Sequence, residues 1–163
     1  MKHILDFYKY NSIVRKKYLD AIDGLSWEEI TKDRGASYPS IRDIFLHVLD
    51  AYRYWFEFAI SGLKVREYKD VDPSDFGDVT EMRKYEEQVD SLVMRLVRGL
   101  RNVDLAKVYT VHSTEPDDPE TVQISMETIL MHMIEEELQH RGELNCLFWQ
   151  ADHDPPITGF GHQ

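Results

Sequence analysis

Apolar residues recur at three- and four-residue steps along four stretches of the chain, the period of helices that bury one face. In the first stretch Ile4, Phe7, Tyr8, Val14, Tyr18, Ile22 and Leu25 form the stripe, and Asn11 falls inside it as a polar residue expected to be buried. The second begins after Pro39, where Ser40-x-x-Asp43 resembles a capping box with aspartate in place of glutamate. Behind it Ile41, Ile44, Phe45, Val48, Tyr52, Trp55, Phe56 and Ala59 make a nearly continuous apolar face, and Ser61-Gly62 should end it.

The stretch from Lys64 to Asp78 is polar, contains Asp72-Pro73 and Gly77, and predicts a long surface connection. A third helix is expected from about Val79 to Leu100, with Met82, Tyr85, Val89, Leu92, Val93, Leu96 and Leu100 facing inward. Lys107 to His112 and Thr121 to Ile124 have strand character around the turn-rich Glu115-Pro116-Asp117-Asp118-Pro119, which predicts a small hairpin. The fourth helix should start at Ser125, with Ile124 and Ile129 placed as a hydrophobic staple, and run to about Gln150. Asp154-Pro155-Pro156 ends any helix, so the tail from about residue 151 is expected to lie as an extended strap. The expectation is all-α: a four-helix bundle with one long crossover and a small hairpin before the last helix, forming a single domain over residues 1–163.

Composition narrows the function classes. A net charge of −11 argues against a nucleic-acid binder, because phosphate backbones reward lysine and arginine. No apolar run approaches the roughly 20 residues that span a bilayer, and the N-terminus lacks a signal-peptide core. The one cysteine, Cys146, allows no intramolecular disulfide and is expected to be a small buried hydrophobe, and a cytoplasmic location is the default.

Candidate chemistry lies in the last helix, in Glu135-Glu136-Glu137-Leu138-Gln139-His140-Arg141-Gly142-Glu143. On a helical wheel Glu136 is about 40° from His140 and Glu137 about 60° from it on the other side. His47 stands on the edge of the second helix's apolar face. A carboxylate and a histidine on adjacent turns, with a histidine from a facing helix, make a three-ligand metal site with room for water or substrate. Glu137 is the alternative carboxylate, although it points closer to the middle of the apolar stripe and has Arg141 four residues on. The ordinary reading is a salt-bridged helix. His132, two turns before His140, either lines the same cavity or lies on the surface. A dinuclear carboxylate site is not expected, because Glu137-x-x-His140 has no second such unit in the chain.

Ser40-Ile41-Arg42-Asp43-Ile44-Phe45-Leu46-His47 together with His140-Arg141-Gly142-Glu143-Leu144 resembles the DinB/YfiT-like family of small helical proteins, and the similar order of helices extends the likeness over most of the chain. The resemblance implies a four-helix bundle holding one divalent metal ion, with Zn or Ni leading and Mn or Fe as alternatives. It places the ligands at His47, Glu136 and His140, with glutamate where the family pattern has the middle histidine. It further implies a small-molecule substrate, in some relatives a low-molecular-weight thiol, with transferase or hydrolase chemistry, and a homodimer for which Tyr10, Tyr54, Trp55 and Phe58 could supply the interface. Asp43 and Asp50 are the expected partners orienting His47. The rival expectation is a non-catalytic binding protein, in which the cavity is filled, the Glu-His pair closes on itself and Glu136 turns away from His47. A ligand-sensing metal protein is a third, which would share the site but show no turnover.

Overall fold

The computed structural model describes residues 1–62, 68–112 and 121–161. Its long helices are α1 (Lys2–Asp23), α3 (Ile41–Arg53), α4 (Val79–Gly99) and α5 (Met126–Gln150), with a short α2 (Trp27–Thr31) between the first two. Strands β1 (Val108–His112) and β2 (Thr121–Ser125) pair antiparallel with Val108 opposite Ser125 and His112 opposite Thr121. The expected turn at Glu115–Pro119 lies outside the described residues.

The helix starts follow from side-chain caps that satisfy otherwise unpaired backbone N–H groups. Ser40 Oγ accepts from the Asp43 amide at 3.1 Å, Asp78 Oδ1 from Glu81 at 2.9 Å, and Ser125 Oγ from Thr128 at 3.1 Å. The same device starts α2, where Ser26 Oγ accepts from the Glu29 amide. The sequence reading missed α2, although Ser26-x-x-Glu29 is a cap signature of the kind seen at Ser40. Beyond Arg53, α3 widens into a π-turn at Tyr54–Phe58 and tightens through a 3-10 turn at Ala59–Ser61. Gly62, at φ +75°, ends it in the left-handed conformation that glycine adopts without strain.

Helices α1 and α3 each pack against both α4 and α5, and α2 lies against α3. The shared core includes Leu19 and Ile22 of α1, Leu46 and Leu49 of α3, Met82 and Val93 of α4, and Leu130 and Met133 of α5. Each such side chain contributes about 1.5–3 kcal/mol by leaving water. The tail returns as a strap across α1: Tyr10 donates to the Thr158 carbonyl, and Phe160 packs 5.6 Å from the Phe7 ring and 5.0 Å from that of Tyr10. This packing brings the middle of α3 against the middle of α5 and sets His47 opposite the Glu136–His140 turn.

Candidate metal centre

Asn11, Arg15, Glu137 and Arg141 occupy stripe positions and are buried, so they need partners. Glu137 Oε2 accepts from Arg15 at 2.8 Å and from the Tyr52 hydroxyl at 2.5 Å, while Oε1 accepts from Arg141 at 3.1 Å. Arg141 also donates to Tyr10 and Asn11, and Arg15 to Asp90 at 2.8 Å and Glu86 at 3.4 Å. Glu137 is therefore satisfied within the core. Burial, and then the Glu137 carboxylate, push the Tyr52 hydroxyl well above its ordinary range and keep it a donor. Burial also raises the carboxyl pKa of Glu86, with Arg15 opposing.

Glu136, one residue earlier, turns the other way. Its Oε1 lies 3.1 Å from His47 Nε2 and 2.9 Å from His140 Nε2, and the three potential ligand atoms all fall within 4.8 Å of one another. Hydrogen bonds from His140 and His47 hold the Glu136 carboxyl far below its usual pKa, against the opposing effect of burial. The bond to Glu136 correspondingly raises that of His140. Two imidazole nitrogens and a carboxylate form a donor set suited to Zn, Ni, Mn or Fe. Nδ1 of His140 is buried without a hydrogen bond and has Glu143 Oε2 at 3.6 Å. That places a carboxylate behind a candidate ligand histidine, the usual means of fixing the tautomer that exposes Nε2. The residues present thus fit one divalent cation, with His47, Glu136 and His140 as the groups that could hold it.

Beside these three residues opens a cavity of about 400 Å³ lined by His47, Asp50, Tyr54, Trp55, His132 and Glu136 among others. His132 stands on its wall, edge-on to Trp55 at 5.2 Å. Asp50 faces this cavity but does not orient His47: it accepts from Arg53, Tyr68, Tyr85 and the Val71 amide. Asp43 pairs with Arg42. The group at His47 is instead Tyr38, which stacks on its imidazole with ring centres 3.9 Å apart and places its hydroxyl 2.9 Å from Nε2. Tyr38 lies in the loop before the Ser40 cap, outside any periodic pattern, so sequence spacing gave no signal for it. Arg15 and Glu86 did leave one, as polar residues at stripe positions Asn11-Arg15-Tyr18 and Met82-Glu86-Val89. Cys146, expected to be buried, is exposed.

The architecture and site define a helical bundle with a candidate two-histidine, one-carboxylate metal centre. Residues 1–162 match the DinB family model, and the chain belongs to the DinB family. The fold is similar to that in the crystal structure of a DinB-like protein from Bacillus cereus ATCC 10987, with a TM-score of 0.70 at 16% identity over 98% of this chain and 97% of that one. No curated protein matches the sequence significantly. Among the described residues, no helix is long and apolar enough to cross a membrane.

Proposed function

We propose that this chain is a divalent-metal-dependent enzyme acting on a small molecule, with His47, Glu136 and His140 as the protein ligands. The observation that carries the reading is the convergence of His47 Nε2 and His140 Nε2, from two different helices, on the single oxygen Glu136 Oε1. A non-catalytic binding protein would have a filled cavity, a Glu-His pair closed on itself and Glu136 turned away from His47, whereas a ligand-sensing metal protein would share the site and differ only in showing no turnover. Glu136 does pair with His140, but it also faces His47, and the adjoining space is open; turnover is what separates an enzyme from a sensor.

When bound, the metal would act as a Lewis acid and lower the pKa of a water or thiol at its open position. The protein's part is to hold three donors at fixed geometry, with Glu143 behind His140, and to offer an aromatic-walled cavity for the substrate. Zn or Ni is proposed first and Mn or Fe next, with thiol-dependent transfer or hydrolysis as the reaction class. A second copy of the chain is the proposed partner. Of the aromatic residues first considered for that contact, Tyr10 and Phe58 are buried in their own subunit and only Tyr54 and Trp55 remain partly exposed.

The test is a screen of small thiols with ester and electrophilic acceptor substrates, run on metal-loaded protein and on the His47→Ala variant. Metal-dependent turnover lost in the variant is expected. A metal-loaded protein that turns over none of them, or a variant as active as the wild type, would contradict the reading.

A further inference from the structure

We propose that Tyr38 is a ligand-binding residue of the centre, whose hydroxyl donates a hydrogen bond to an anion or thiolate held at the metal's open position. The proposal rests on the metal reading above. It starts from the near-parallel stacking of the two rings, which are inclined by 19° with centres 3.9 Å apart. In that arrangement the Tyr38 hydroxyl, 2.9 Å from Nε2, stands over the face of the imidazole rather than in its plane. The in-plane position at Nε2, the one a metal uses, is left for Glu136, to which Nε2–H donates in the metal-free site.

With its in-plane position given to Glu136, or to a metal, Nε2 offers the hydroxyl above the ring no lone pair to accept its proton. The hydroxyl of Tyr38 therefore keeps its proton for another acceptor. Being beside the ligand atoms, it is placed to find one on a small group bound to the same metal. Its position is also braced from α5. The neighbouring Ser37 hydroxyl donates to Glu143, the carboxylate that faces His140 Nδ1, and the Arg34 amide donates to the Pro39 carbonyl at 2.8 Å to close the loop. The Tyr38 ring also packs edge-on to His140, with ring centres 5.4 Å apart. One loop residue thus touches both candidate ligand histidines.

Phenylalanine at this position keeps the stacked ring and removes only the hydroxyl, so Tyr38→Phe isolates the hydrogen bond. The probe is azide, titrated into the Co(II)-loaded full-length protein and followed by visible absorption. Tyr38→Phe should bind Co(II) within about threefold of wild type and show the same azide-free spectrum, while its azide dissociation constant rises roughly tenfold or more, as for loss of a hydrogen bond to a charged group. Equal azide affinity in the two proteins would overturn the proposal and leave the metal reading standing. A Co(II) affinity more than tenfold weaker in Tyr38→Phe would overturn it differently, by making Tyr38 a support or ligand of the metal itself. Failure of the wild-type chain to take up Co(II), seen before azide is added, would overturn both readings.

Discussion

Glu136 and Glu137 are consecutive on α5 and face opposite environments: Glu136 Oε1 lies between His47 and His140, while Glu137 is bound by Arg15, Tyr52 and Arg141 in the core. The step of about 100° between neighbouring helix residues separates them. One carboxylate therefore anchors the helix, and the other is free to serve the site.

Removing the anchor should be costly. Glu137→Ala leaves Arg15 and Arg141 as buried cations short of a partner, and a loss of about 3–5 kcal/mol is expected in urea unfolding. Glu136→Ala, at a partly exposed position, should change the stability of the metal-free protein by about 1 kcal/mol or less. Equal effects would show that the two residues do not divide the roles in this way.

The charged stripe residues show how far the sequence could be read. Apolar periodicity located the four long helices, because burial repeats with the helical turn at Tyr8, Tyr18, Ile44 and Val89 alike. The caps at Ser40 and Ser125 were legible for the same local reason. His47, Glu136 and His140 could be singled out by spacing and family likeness, but spacing alone left Glu137 open as the carboxylate. What separated them was Arg15, which lies 122 positions from Glu137 and pairs with it only through tertiary packing. Tyr38 was invisible for a related reason, since a loop has no period to project.

Protonation of the metal-free site should set the pH response. His140 has its pKa raised by its hydrogen bond to Glu136, so in the metal-free protein its stabilising contribution is full below the unfolded value of about 6.5. That contribution is lost as pH rises through the higher folded value. Metal must displace the same proton, so metal affinity should fall as pH falls through that range. Thermal unfolding of the metal-free protein against pH, compared with His140→Ala, checks the first part, and metal titrations at several pH values check the second. A pH-independent metal affinity would contradict the linkage.

Glu86 should contribute the opposite of a stabilising carboxylate. Its folded pKa is raised by burial, so between the unfolded value of about 4.3 and the folded value the native state holds a proton that the unfolded chain has released. Stability therefore falls as pH rises through that window. Glu86→Gln should abolish this fall, making the variant more favourable relative to wild type at pH 7 than at pH 4. Parallel stability curves for the two proteins would refute it.

Glu143 faces His140 Nδ1 and accepts from Ser37, so Glu143→Ala should weaken metal binding roughly 10- to 100-fold while leaving the helical circular-dichroism signal intact. Unchanged metal affinity would show that the 3.6 Å approach has no orienting effect.

The assembly proposal is checked by sedimentation of the full chain at micromolar concentration, where a homodimer is expected. A monomer throughout that range would contradict it.

The most direct measurement is metal analysis of protein purified without chelators or added metal, alongside the His47→Ala and Glu136→Ala variants. The account predicts a divalent ion in near-stoichiometric amount in the wild type and its loss from both variants. A wild-type protein free of Zn, Ni, Mn and Fe, or variants that retain metal with unchanged affinity, would contradict a centre built on His47, Glu136 and His140.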